Sequence, residues 1–161
     1  MQNIRTARPE DAARCFRIEI EAYDSEAAAP LDRIATRIAT YPEGFIVLET
    51  DGQVTGFINS GCTWDVEMAD DAFKALIGHD PEAPNAVILS VAVDPAYQGR
   101  GLSRALMEAF VARMAAMGKA SIHLICRAHH VSMYEKFGYR YIQPSDSAHG
   151  GMQWHEMVMT L

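Results

Sequence analysis

Residues 87–106, VILSVAVDPAYQGRGLSRAL, constrain this chain more than any other stretch. The apolar, β-branched run from Val87 to Val93 reads as a buried strand, broken at Asp94-Pro95. A short segment with Gly99 and Gly101 follows, and then a helical pattern. Strand, loop and helix in that order aim the unbonded N–H groups of a helix start at an anion. The two glycines remove side chains that would block a close approach, and Arg100 and Arg104 add positive charge nearby. The loop suits phosphate groups. It is not a P-loop, because no Gly-Lys-Ser/Thr follows, and no GxGxxG occurs.

Gln98-Gly99-Arg100-Gly101-Leu102-Ser103, directly after VAVDPAY, resembles the Q/R-x-x-G-x-G/A pyrophosphate loop of the GCN5-related N-acetyltransferases (GNAT). Ser103 stands where that pattern has its last Gly/Ala, and Ser is compact and can itself donate to a phosphate oxygen. Downstream, Met133-Tyr134-Glu135-Lys136-Phe137-Gly138-Tyr139 is similar to the family's second signature, a YEK-x-GF helix end. The resemblance implies a mixed α/β sheet of about seven strands, helices on both faces, and a fourth and fifth strand that splay apart. It also implies acetyl-CoA as co-substrate. The edge at Val91, Ala92 and Val93 would pair with the pantetheine arm, and Gln98, Gly99, Arg100, Gly101, Leu102 and Ser103 would hold the pyrophosphate. An N–H at or near Val91 would face the oxyanion, and Tyr134 would point at the cofactor sulfur.

The length of 161 residues fits one domain over 1–161. Hydrophobic residues at 49% and charged ones at 22% are ordinary for a soluble globular chain. MQNIRTARPED lacks the apolar core of a signal peptide, and no run approaches membrane-spanning length. Cys15, Cys62 and Cys126 are odd in number and form no CxxC pair, so reduced thiols and a cytoplasmic location are expected. Residues 1–60 and 61–85 carry net −4 and −5, residues 86–161 carry +2, and the chain carries −7. No basic face suggests nucleic acid. A polyanionic cofactor beside a cationic substrate would fit the asymmetry, and so would a solvated acidic surface.

Along the chain, residues 3–7 read as a first strand and residues 9–23 as a helix with Ala13, Phe16, Ile20 and Tyr23 on its apolar face. A second helix starts at Pro30 with Leu31, Ile34, Ile38 and Tyr41 as its stripe, and the link at residues 24–29 is small and polar enough to move. Asp51-Gly52 joins two strands as a hairpin. An acidic insertion beginning Thr63-Trp64-Asp65 leads to the central strand; it and the last strand, residues 152–157, resemble the arylalkylamine (serotonin) N-acetyltransferase branch. Leu102, Ala105, Leu106, Ala109, Phe110, Met114 and Met117 give the next helix its buried face.

Acetyl transfer from a thioester to an amine needs a neutral nitrogen, oxyanion donors and an acid for the thiolate. The resemblance makes Tyr134 the candidate for the acid, and a phenol with a pKa near ~10, protonated at neutral pH, suits that role. No base is visible. The arylalkylamine branch places two histidines on the central strand, but those positions here are Val87 and Leu89. Asp65 and Glu67 stand near the expected acceptor mouth and would hold a cationic amine or remove its proton. Glu49, Ser90, His123 and His155 remain as other bases, and water as a proton carrier. The six histidines lack the spacing of a metal site, so no metal is expected, and Cys126 reads as a packing thiol. The expected activity is acetyl transfer to a small primary amine, arylalkylamine-like or polyamine-like, by direct attack in a ternary complex. Acetylation of a protein N-terminus or lysine, and a catalytically weak acyl-CoA-binding module, stay open. The expected partners are the amine and coenzyme A, without nucleic acid or membrane, and the chain is compatible with a homodimer.

Overall fold

In the computed structural model, which describes residues 1–23 and 27–161, seven strands form one mixed sheet. The strands are β1 (Gln2–Thr6), β2 (Phe45–Thr50), β3 (Gln53–Thr63), β4 (Asn85–Val93), β5 (Ser121–Cys126), β6 (Arg140–Pro144) and β7 (His155–Thr160). Their order is β1-β2-β3-β4-β5-β7-β6, and β4 and β5 are the parallel pair. Four helices complete it: α1 (Ala12–Ala22), α2 (Leu31–Thr40), α3 (Leu102–Ala116) and α4 (Val131–Lys136). Among the described residues, no helix is long and apolar enough to cross a membrane.

The sheet has a core on each face. Phe45 and Val47 of β2 turn towards Cys15, Ile18, Ile34 and Ile38 of α1 and α2. Ile46 and Leu48 point the other way, towards Leu106, Phe110 and Met114 of α3. That alternation is the period of two that a strand imposes. The hairpin between β2 and β3 turns at Asp51 and Gly52, both with positive φ, as a two-residue turn of the I′ kind requires.

The splay that positions the site has a local cause. β4 and β5 pair only from Asn85–Val87 with residues 121–123. In the β3–β4 ladder Asn59 faces Ser90 but Ser60 faces Ile88, so Leu89 is an extra residue. Such a bulge bends and twists its strand. Beyond it β4 leaves β5, whose opposite edge stays paired with β7 along its whole length. The expected parting of the fourth and fifth strands is thus present.

Three expected faces shift. On α2 Leu31 is exposed, while Arg37 is buried beside Ile34 and Ile38. On α1 the buried side chains are Cys15, Ile18 and Glu19, whereas Ile20 is 47% exposed and Ala13 is also exposed. On α3 Met107 is buried and Met117 lies at the surface, because the helix ends at Ala116 before Gly118 turns the chain with positive φ. The expected link between α1 and α2 includes residues 24–26, which lie outside the described residues.

Candidate active site

Two cavities meet where β4 and β5 part. The larger, about 470 Å³, runs along the far end of β4 to the start of α3. The smaller, about 90 Å³, lies beneath α1, α2 and the 64–84 insertion. Tyr23, Ala27, Val91, Ile125, Tyr134 and Trp154 line both, so the junction lies at these six residues, Tyr23, Val91 and Tyr134 among them.

Most of the expected cofactor residues border the larger cavity. Val91, Ala92 and Val93 form its strand wall, and Gln98, Gly99, Gly101, Leu102 and Ser103 form its loop end. Gly99 and Gly101 have φ of 81° and 75°, and nothing lies within 4 Å of a Cβ built on either. Backbone conformation, rather than crowding within the chain, is what demands glycine there. Gly101 caps α3 without a side-chain bond, so the first-turn N–H groups stay open towards the cavity. The loop is braced from below: Asp94 accepts from the Ala96 N–H at 2.9 Å and is ion-paired with Arg14 of α1. Arg100 does not border the cavity; its guanidinium stacks over the Tyr97 ring at 5.0 Å. Arg127, His129 and His130 flank the opposite wall, and Arg127 adds a positive charge there that spacing did not reveal.

The Val91 edge is engaged. Tyr23 Oη donates to the Val91 carbonyl at 2.7 Å and accepts from the Val91 N–H at 3.1 Å. A pantetheine arm or an oxyanion that uses this residue must take those bonds over from Tyr23.

Tyr134 is 8% exposed, held edge-on against Tyr139 with centroids 5.8 Å apart. Burial, and after it the nearby Cys126, pushes its phenol above the ordinary value, so it is a proton donor at neutral pH. Burial pushes the Cys126 thiol up to about 11, which leaves it protonated and a poor nucleophile.

The smaller cavity is lined by a carboxylate that sequence spacing missed. Glu19 of α1 is 2% exposed; its Oε2 accepts from the Ala29 N–H at 2.9 Å and from Ser90 Oγ at 3.3 Å. Its Oε1 is buried with no partner among the described residues. Burial raises the Glu19 carboxyl above the usual range, against the pull of Ala29, Arg37 and Ser90. Arg37 is equally buried, donates to the Lys74 carbonyl at 3.0 Å and to Asn59 and Ser90 at 3.3 Å, and is brought down to about 10 by desolvation. An opposite-charge pair inside a shared polar network explains why neither helix buries a purely apolar stripe.

The other expected acceptor residues scatter. Glu67 is exposed and borders the cavity rim, and Asp65 is exposed and outside the lining. Val87 and Leu89 line the cavity with apolar side chains. His123 is bonded to Ser121 Oγ at 2.9 Å and His155 to Tyr141 Oη at 2.9 Å; neither borders the cavity, nor does Glu49, which pairs with Arg5. His149 does, with Nε2 2.7 Å from the Ala27 carbonyl, and burial lowers its pKa. Among the described residues, no group of three His, Cys, Asp or Glu side chains could hold a metal ion.

The sequence model of the Acetyltransferase (GNAT) family matches residues 10–139, most of this chain and both walls of the cleft. This chain belongs to the GNAT family. It is an N-acetyltransferase with acetyl-CoA as its donor substrate. A serotonin N-acetyltransferase of Mesocricetus auratus is 27% identical over 161 residues, covering 98% of this chain and 76% of that protein. Among solved structures, the loading GNATL domain of CurA from Lyngbya majuscula superposes with a TM-score of 0.86 at 15% identity, over 99% of this chain and 98% of that one. The yncA protein of Salmonella typhimurium, solved with its cofactor acetyl-CoA, gives 0.72 at 22% identity, over 100% and 94%. At such identities these structures speak for the fold of the GNAT chain alone.

Proposed function

We propose that this GNAT enzyme acetylates a small primary amine by direct attack in a ternary complex. The observation that carries the reading is the meeting of the two cavities around Tyr23, Val91 and Tyr134, with Glu19, whose buried Oε1 has no partner among the described residues, in the wall of the smaller one. A cavity of about 90 Å³ suits a small acceptor. An alkylammonium with a pKa near ~10 is charged at neutral pH and cannot attack. Glu19, as carboxylate, draws the ammonium in and takes one proton, directly or through a water. The neutral nitrogen attacks the thioester carbon, and the carbonyl electrons move to oxygen. As they return, the carbon–sulfur bond breaks and Tyr134 gives its proton to the departing sulfur. The nitrogen sheds its second proton, which restores the phenol, and Glu19 releases the first to solvent.

The test is thiol release from acetyl-CoA across a panel of amines, with Glu19→Gln and Tyr134→Phe beside the parent enzyme. Turnover of small amines that falls steeply in both variants is expected. Acetyl-CoA binding without release of thiol for any amine would instead mark an acyl-CoA-binding module.

A further inference from the structure

The acceptor cavity is balanced in charge, with Arg33, Arg37 and Lys74 set against Glu19, Glu67 and Asp70. Most of these groups are occupied within the chain. Lys74 Nζ pairs with Asp71 at 2.6 Å, Asp70 accepts from the Ala72 N–H at 3.0 Å, and Arg37 is held by Lys74, Asn59 and Ser90. Glu67 accepts from the Ala69 N–H at 3.4 Å at the rim, and two groups of opposite sign remain in the wall. One is Glu19, which borders the cavity and whose buried Oε1 has no hydrogen-bond partner among the described residues. The other is Arg33, half-buried in the cavity wall, whose guanidinium makes no hydrogen bond or ion pair among the described residues. Arg33 precedes Arg37 by four residues on α2, so the two share a helix face about 6 Å apart along the axis. Arg37 feels both Glu19 and Arg33 as near charges. Glu19 and Arg33 thus border one cavity, so a single small molecule in it can meet both.

We propose that the acceptor is an amino acid whose α-ammonium lodges against Glu19 and whose carboxylate pairs with Arg33, its side chain lying on the apolar wall of Val87, Leu89 and Phe73. This rests on the small-amine reading above and narrows it. A carboxylate matches the planar fork of a guanidinium in two parallel bonds. A polyamine would bring a second cation to Arg33, and a simple amine would leave that guanidinium without a hydrogen-bonded anion, with Asp71 only as a near charge.

The test compares kcat/KM for L-valine, L-leucine and L-phenylalanine, each against the amine that remains when its carboxylate is removed, at saturating acetyl-CoA. A preference of tenfold or more for at least one amino acid over its amine is expected. Arg33→Gln should bring that ratio towards one, mainly through the KM of the amino acid, and Arg33→Lys should keep part of it. Equal use of acid and amine, or a ratio untouched by Arg33→Gln, overturns the proposal while leaving the small-amine reading intact. Faster turnover of a tripeptide with the same first residue overturns it in favour of a peptide N-terminus. If no amine of any kind releases thiol, the reading on which it rests falls with it.

Discussion

Tyr23 of α1 holds both backbone groups of Val91, donating to its carbonyl and accepting from its N–H, so one phenol mimics the strand that β5 has ceased to provide. An acyl-CoA arm that adds itself to β4 competes with this phenol. Tyr23→Phe removes the competitor, and acetyl-CoA should then bind tighter by about 0.5–1.5 kcal/mol, roughly two- to tenfold. Isothermal calorimetry checks it; weaker binding would show that Tyr23 stays on Val91 and itself helps to hold the cofactor.

Tyr134 lies at the junction of the cavities with its phenol kept protonated by burial. Tyr134→Phe should bind acetyl-CoA nearly normally and lose about 10²–10⁴-fold in kcat. Because the ring packs against Tyr139, the phenylalanine preserves the contact and the melting temperature should change little. A fall in stability and binding equal to the fall in rate would assign the residue to packing.

Gly99 and Gly101 need positive φ, and space is open above both. Alanine at either costs about 1–2 kcal/mol in left-handed backbone or forces the loop to relax. The expected result is a clear loss of coenzyme A affinity with a fold that survives, as circular dichroism would show. Arg100→Ala should cost little affinity, since its guanidinium rests on Tyr97 away from the cleft.

Asp94 ties the start of the 94–101 loop to Arg14, and Asp11 ties β1 to α1 through Arg5. Burial raises both carboxyl pKa values, but the Ala96 N–H and Arg14 outweigh it at Asp94, and Arg5 with the Arg8 N–H outweighs it at Asp11. Both carboxyls therefore titrate below the ordinary range. Their folded values being depressed, the stability they give is full above the unfolded pKa near ~3.9 and is lost as pH falls through the folded values. Melting temperature should thus drop in acid from about pH 4 downwards, and Asp94→Asn should flatten part of that slope while lowering stability at neutral pH. An unchanged slope in Asp94→Asn would show that the carboxylate contributes nothing through its charge.

How much of this could be read from residues alone divides along a physical line. The loop before α3 is local: Asp94, Gly99 and Gly101 act through backbone geometry within eight residues, and that geometry is written in residue type. Tyr134 and the glycine after its helix are legible for the same reason. The acceptor cavity is built from α1, α2, β4 and the 64–84 insertion, parts that only the folded sheet brings together. Ile20 and Ala13 fit a helical apolar stripe, yet Glu19 takes the inward position. A signal was present, since Ile18-Glu19 and Arg37-Ile38 set opposite charges beside apolar residues in successive helices, where charged residues rarely bury unless paired. Nothing local could show that Asp65 misses the cavity which Glu67 reaches.

Glu19 gives the sharpest test of the chemistry. Its carboxyl is held above the ordinary range chiefly by burial, so it gains its charge at a higher pH than an exposed glutamate does. As the base it must be ionised to accept the ammonium proton, so kcat/KM should rise with pH through that raised value. A second rise should follow the amine's own pKa when the acceptor is an alkylamine at low concentration. Glu19→Gln keeps an oxygen for the Ala29 N–H and the Ser90 hydroxyl, and the fold should be kept. Its kcat should fall by about 10²–10⁴-fold and the first rise should vanish, leaving only the amine's. An acceptor of low pKa arrives neutral and needs no base, so the loss in Glu19→Gln should shrink for it. Glu67, at the rim, should behave otherwise: Glu67→Gln should raise KM more than it lowers kcat. A pH profile identical in Glu19→Gln and the parent enzyme would remove Glu19 from the reaction and leave water as the proton carrier.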